Sequence, residues 1–136
     1  MFSKRTIILG VLSCLLLTGC SVVSKILPDR AVTNVLSGRE GENGPVLVVK
    51  IDDTRYARPQ VGLEFADVVY IEQVEGGTTR LAAIYSSTIP ARIGPVRSAR
   101  ISDMELLAQY GHIAFAFSGA QKKLLPVIAA ADLSDV

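Results

Sequence analysis

The 136-residue chain has no tryptophan, one histidine and two cysteines, and both cysteines lie within the first 20 residues. A lone His112 gives no histidine-based metal cluster and no Ser–His constellation of convincing order. Placed just after an expected helix end, it would suit the negative pole of that helix as a cation. Beyond Cys14 and Cys20 there is no thiol, so the rest of the chain has no disulfide and no thiolate metal site. No cofactor and no metal is expected. Net charge is also lacking. The formal value is +1, and setting aside Lys4 and Arg5 of the leader leaves 12 basic and 13 acidic side chains. That balance excludes a global pull toward nucleic acid. With 49% hydrophobic and 20% charged residues, the composition is that of a globular chain with room for one modest domain.

What is present begins with a leader. Met1-Phe2-Ser3-Lys4-Arg5 is a short basic head, and Thr6 to Leu17 is almost wholly apolar. Such a run is a secretory signal, too short to be a good membrane span. The ending Leu17-Thr18-Gly19-Cys20 resembles the bacterial lipobox, in which cleavage falls before the cysteine. The resemblance implies a signal peptide over 1–19 and a diacylated Cys20 as the first mature residue. The alternatives are a plain secretory signal or an uncleaved anchor. Diacyl and N-terminal chains hold a protein on a membrane far better than one chain does, at about 0.8 kcal/mol per buried methylene. The expected location is therefore the extracytoplasmic face of the cell membrane, lipid-anchored. Residues 20–45, rich in glycine and alternating charge toward their end, read as a tether.

Residues 46–136 read as an α+β or mixed α/β domain, a small sheet containing a β-hairpin and packed by two helices. Val46 to Ile51 is a β-branched run of buried-strand type, ended by Asp52-Asp53-Thr54. Two strand-like runs, Ala66–Glu75 and Thr78–Ser86, flank Gly76-Gly77, a strong hairpin signal. A two-residue loop at that pair sets Glu72 opposite Leu81, and puts Glu72 on a face with Val68, Tyr70, Leu81, Ala83 and Tyr85. Ser102-x-x-Glu105 predicts a capping box and a helix through Tyr110, stopped by Gly111. Ile113–Phe117 reads as a short strand and Gln121–Ala131 as a second helix, kinked or shortened by Pro126. After it the reading finds no further strand, which gives the domain a partial look.

Between Ile51 and Gln121 every cation is arginine: Arg55, Arg58, Arg80, Arg92, Arg97 and Arg100. Arginine presents a planar fork of donors suited to carboxylate or phosphate. Arg92, Arg97 and Arg100 fall within nine residues around Gly94-Pro95, so this stretch is the candidate functional loop. Arg58, Arg80, Arg92, Arg97 and Arg100 are the candidate ligand-binding residues, with ion pairing to Asp52, Asp53, Asp67, Glu72 or Glu75 as the plainer role for each. Glu72, alone on an apolar face, is either paired, solvated or raised in pKa as a general acid would be. Asp52, Glu72 and Glu75 are accordingly weak catalytic candidates.

Five segments in order resemble one known family: Val48-Val49-Lys50-Ile51-Asp52-Asp53, Ala57 to Leu63, Ala66-Asp67-Val68-Val69-Tyr70, Val74 to Arg80, and Ile93 to Arg100. They are similar to the YerB-like bacterial lipoproteins, whose members extend into a further domain and often place asparagine at the position of Asp53. The resemblance implies a membrane-tethered extracytoplasmic protein and supplies no reaction. Three functions remain open at this level. The leading one is a binding module for an anionic cell-envelope ligand. The others are an enzyme acting on cell-wall glycan through two carboxylates, and a scaffold lipoprotein whose partner is another envelope protein.

Overall fold

The computed structural model describes residues 31–136. The leader and Cys20 lie outside the described residues. From Val32 to Val136 the chain forms one compact unit, so Val32 to Pro45 of the expected tether belong with the domain. Asn34 shows why. It is fully buried, its amide donates to Glu42 O (3.2 Å) and Ser86 Oγ (3.3 Å), and its Oδ1 accepts from the Leu36 and Ser37 amides.

Five strands make a mixed sheet: β1 (Leu47–Asp52), β2 (Val68–Gln73), β3 (Thr79–Tyr85), β4 (Ile113–Ala116) and β5 (Leu133–Asp135), in spatial order β2-β3-β1-β4-β5. β3 runs antiparallel to β1 and β2, while β4 is parallel to β1 and β5 parallel to β4. The helices are α1 (Ile101–Leu107) and α2 (Leu125–Ala130). The α+β expectation stands. β5 is the strand that was not foreseen; it takes the chain returning from α2 along the edge of β4.

β1 and β3 are interior strands with both faces covered, which is why they read as near-continuous apolar runs. Their even-numbered side chains Val48, Ala82 and Ile84 meet Leu107, Leu124 and Ile128 under the two helices. Odd-numbered Val49, Ile51, Leu81, Ala83 and Tyr85 face the opposite layer, where Leu63, Ala66 and Ile93 come from loops. Tyr85 donates to Gly62 O across that layer (3.2 Å), and burial pushes its phenol up to about 12. Edge strand β2 leaves Ile71 72% exposed.

The hairpin differs from expectation in register. Its turn holds three residues, Glu75–Gly77, closed by Val74 N–H donating to Thr78 O (2.9 Å). Both glycines take positive φ, 75° and 72°, but Glu75 joins them in the turn. Glu72 therefore pairs with Arg80 instead of Leu81. A slip of one residue turns a whole strand over. Arg80, Ala82 and Ile84 share the face of Glu72 and Tyr70, and Leu81, Ala83 and Tyr85 lie on the other.

Two helix ends also moved. α1 starts at Ile101, and Asp103 Oδ2 accepts the Arg100 N–H (2.6 Å), so Ser102 is not the cap. The helix tightens to a 3-10 turn over Ala108–Tyr110 and ends at Gly111 with φ 71°, as the glycine predicted. α2 is shorter than Gln121–Ala131 because Pro126 lies in its first turn, where a missing N–H costs nothing.

Candidate functional site

The register just described lines up three charged side chains on neighbouring strands: Asp52 on β1, Arg80 opposite it on β3, and Glu72 opposite Arg80 on β2. One pair further in, Lys50 lies opposite Ala82. All point toward the helices. The small Ala82 leaves room, and the fully buried Lys50 Nζ reaches Asp103 Oδ1 (2.6 Å) and also donates to Glu72 Oε1. Ser102 Oγ donates to the other Glu72 oxygen at 2.7 Å. One ammonium thus serves two buried carboxylates. Burial, reinforced by the charge of Glu72, outweighs the pull of Lys50 and pushes the Asp103 carboxyl up to about 6.

Around this buried centre the network opens to solvent. Asp52 accepts the Thr54 N–H (2.9 Å) and pairs with Arg97 Nε (3.3 Å) and, more loosely, with Arg80 (3.7 Å). Asp53 accepts from Thr79 Oγ1 (2.6 Å), Arg58 (2.7 Å) and Gln60 (3.4 Å). The Thr79 hydrogen bond, then Arg58 and Gln60, hold its carboxyl below the usual range against partial burial. Lys50, Arg80 and Arg97 face Asp52, Glu72 and Asp103, three charges against three.

The five candidate arginines separate by exposure. Arg80 is 6% exposed; it donates to Thr79 O (2.8 Å), and its Nε has no partner among the described residues. Arg100 donates through Nε to Glu75 (2.9 Å) and through a terminal nitrogen to Ala99 O (3.0 Å). These two hold the architecture together. By contrast, the side chains of Arg58 and Arg97 are 60% and 47% exposed. Arg92 is exposed as well and borders a hollow of about 290 Å³ with Pro59, Val61, Ile93, Gly94 and Pro95.

The loops that carry these three are tied together. Val61 and Gly94 exchange amide hydrogen bonds (2.8 and 3.0 Å), Val96 bridges to Ile51, and Asp52 N–H donates to Pro95 O (2.9 Å). Gly62 makes the closest approach. Its φ is 79°, and a Cβ there would sit 2.4 Å from Arg92 O.

The carboxylate candidates fare less well as catalysts. Glu72 is held by Lys50 and Ser102, and Asp52 by Arg97 and Thr54. Glu75 is exposed, and hydrogen bonds from its own backbone N–H and from Arg100 lower its pKa, opposite to what a general acid needs. His112 does meet a serine and an acid: Nδ1 is 2.5 Å from Asp132 and Nε2 3.0 Å from Ser134. Sequence order concealed this, because β5 brings Asp132 and Ser134 beside it. With His112 and Asp132 63% and 74% exposed, the imidazole lacks the buried acid that orients a catalytic triad.

Lys50 and Asp103 were missed by the sequence reading. The signal for Lys50 was there: a single lysine inside an apolar β-branched run.

The profile described as "Protein of unknown function (DUF3048) N-terminal domain" matches residues 32–136. The chain belongs to this family. It is 49% identical over 59 residues to the "Putative lipoprotein YerB" of Bacillus subtilis (strain 168), a match covering 43% of this chain and 18% of that protein. The crystal structure of the YerB protein from Bacillus subtilis superposes with a TM-score of 0.67 at 32% identity, over 76% of this chain and 38% of that one. The chain thus spans well under half the length of the relatives it matches. The segments that carry the family resemblance fall in β1, the 57–63 loop, the start of β2, the hairpin turn with the start of β3, and the 93–100 loop.

Proposed function

We propose that this DUF3048 domain is the binding module of a membrane-anchored lipoprotein, and that it holds an anionic cell-envelope polymer on Arg58, Arg92 and Arg97. The leader ending at Cys20 and the lipoprotein name of the Bacillus relative support acylation of Cys20 and a location on the extracytoplasmic face of the membrane. One observation carries the binding reading. Three arginines on two cross-bridged loops remain exposed, Arg92 on the rim of a hollow between those loops, and Arg58 and Arg97 each meet an aspartate through a single nitrogen. Each keeps further N–H donors for carboxylate or phosphate oxygens. The aspartates set their direction without consuming the fork. Arg80 and Arg100, first read as ligand-binding, act in this proposal as supports of that surface.

The test is retention of the purified chain, in detergent micelles, on isolated cell-wall sacculi. Arg92→Ala with Arg97→Ala lowers retention at least about tenfold, while the melting temperature stays within a few degrees, because exposed pairs contribute about 0–1 kcal/mol. Arg80→Ala lowers the melting temperature markedly. Unchanged retention by the double variant would sink the reading. Cys20→Ser, expressed with the leader in a bacterial host, shifts the protein from membrane to soluble fraction; a variant that stays membrane-bound argues against acylation at Cys20.

A further inference from the structure

Tyr56 is the most exposed large hydrophobic side chain among the described residues, at 93%, and it has no hydrogen-bond partner among them. It is nevertheless on a rigid mount. The 3-10 turn Arg55–Ala57 is closed by Ala57 N–H donating to Thr54 O (3.0 Å), and Ala57 is buried. Thr54 is held in turn by Asp52 Oδ1, itself part of the charged network. The turn pushes the ring outward and holds it there. Arg55 stands with its guanidinium carbon 6.0 Å from the ring centroid, and the exposed Arg58 lies two residues after the tyrosine. An aromatic ring left in water on a fixed turn packs against nothing but Arg55 among the described residues, and tyrosine and arginine are among the residues enriched where binding energy concentrates.

Resting on the reading above, we infer that Tyr56 is a stacking platform for a sugar ring and that the ligand is an acidic glycan. A pyranose presents a row of C–H groups on one face, which packs on the electron-rich face of a phenol ring. Arg55 at the ring, Arg58 on the same loop, and Arg92 and Arg97 on the loop bridged to it at Val61–Gly94 meet the acidic groups carried by the same polymer. A plain polyanion satisfies the arginines but gives Tyr56 nothing to stack on. The chemistry therefore distinguishes an acidic polysaccharide from a charge-matched chain without sugar.

The experiment measures binding of the full chain in detergent to polygalacturonate and to inorganic polyphosphate of matched charge. Four proteins are compared: wild type, Tyr56→Ala, Tyr56→Phe, and the Arg92→Ala/Arg97→Ala double variant. The expected result is that wild type prefers polygalacturonate. Tyr56→Ala weakens that binding about tenfold and leaves polyphosphate within twofold, and Tyr56→Phe restores it because the ring face is kept. The arginine variant weakens both. Equal binding of the two polymers with no effect of Tyr56→Ala overturns the sugar platform and leaves the anion-binding module standing. Binding of neither polymer overturns both. Binding of polygalacturonate that depends on Tyr56 but not on Arg92 and Arg97 overturns the anionic module and keeps the platform.

Discussion

Lys50 Nζ and Asp103 Oδ1 lie 2.6 Å apart, and both side chains are wholly buried. The contact ties the central strand to the first turn of α1, and Glu72 ties the same ammonium to the edge strand. A charge in such a position is tolerated only because its partners are in place.

Lys50→Met removes the one cation and leaves two carboxylates facing each other in the interior. It is expected to lower unfolding free energy by about 3–5 kcal/mol, the usual cost of breaking a buried pair from one side. Adding Glu72→Gln and Asp103→Asn recovers a large part of the loss. Urea unfolding of the single and triple variants checks this, and a triple variant no better than Lys50→Met would show that lost packing, not charge, dominates.

The pH response follows from the same cluster. Burial raises the folded pKa of Asp103 to about 6 from the ordinary aspartate value of 3.8. The folded state therefore holds this proton more tightly than the unfolded chain does. Between pH 3.8 and 6 that difference favours folding more as pH falls, and above about 6 its penalty is complete. Asp53 and Asp67 have lowered values, so their contributions are present above the unfolded carboxylate range and are lost as pH falls below it. Melting temperatures of wild type and Asp103→Asn, measured from pH 4 to 8, are expected to separate in favour of wild type as pH falls from 6 to 4. A constant difference across that range refutes the assignment.

Glycines 62 and 76 share positive φ but not surroundings. Gly76 has open space where a Cβ would go, whereas at Gly62 it would meet Arg92 O at 2.4 Å. Gly76→Ala is expected to cost about 1–2 kcal/mol, the strain of a left-handed L-residue. Gly62→Ala costs more and also weakens ligand retention, because it pushes the Arg92 loop away. Chemical denaturation together with the sacculus assay reads both effects; equal costs at the two positions would disprove the close-approach argument.

Much of the fold was legible from residue patterns. The β-branched run of β1, the Gly-Gly hairpin, Gly111 as a stop and a helix starting near residue 102 all stand, give or take a residue. What could not be read was register. The turn takes three residues, with Glu75 in it, and the partners that Arg80 and Glu72 meet on that face come from positions far away in the chain. That one extra turn residue decided whether Glu72 faced Leu81 or Arg80. The site suffered in the same way. The arginines were visible, but Arg80 is buried because it lies on an interior strand between Asp52 and Glu72, while Arg58, Arg92 and Arg97 lie on loops that leave them exposed. Lys50 looked like an interruption in a hydrophobic run because its two carboxylate partners come from other elements. The charge pattern of Ser102 to Glu105 fitted a capping box well, yet Asp103 took the cap and left Ser102 to Glu72.

Strand order also sets an order of assembly. β1 occupies the middle of the sheet, yet its partners β3 and β4 are supplied by residues 79–85 and 113–116. The β2–β3 hairpin, closed by three residues, can form by itself in microseconds, whereas the β1–β4 pairing must first close a long loop. On a chain synthesised from its N-terminus, β1 is delivered early and waits. Lys50 can leave water at little cost only where Glu72 and Asp103 both meet it, so its burial is tied to contacts that residues far along the chain supply.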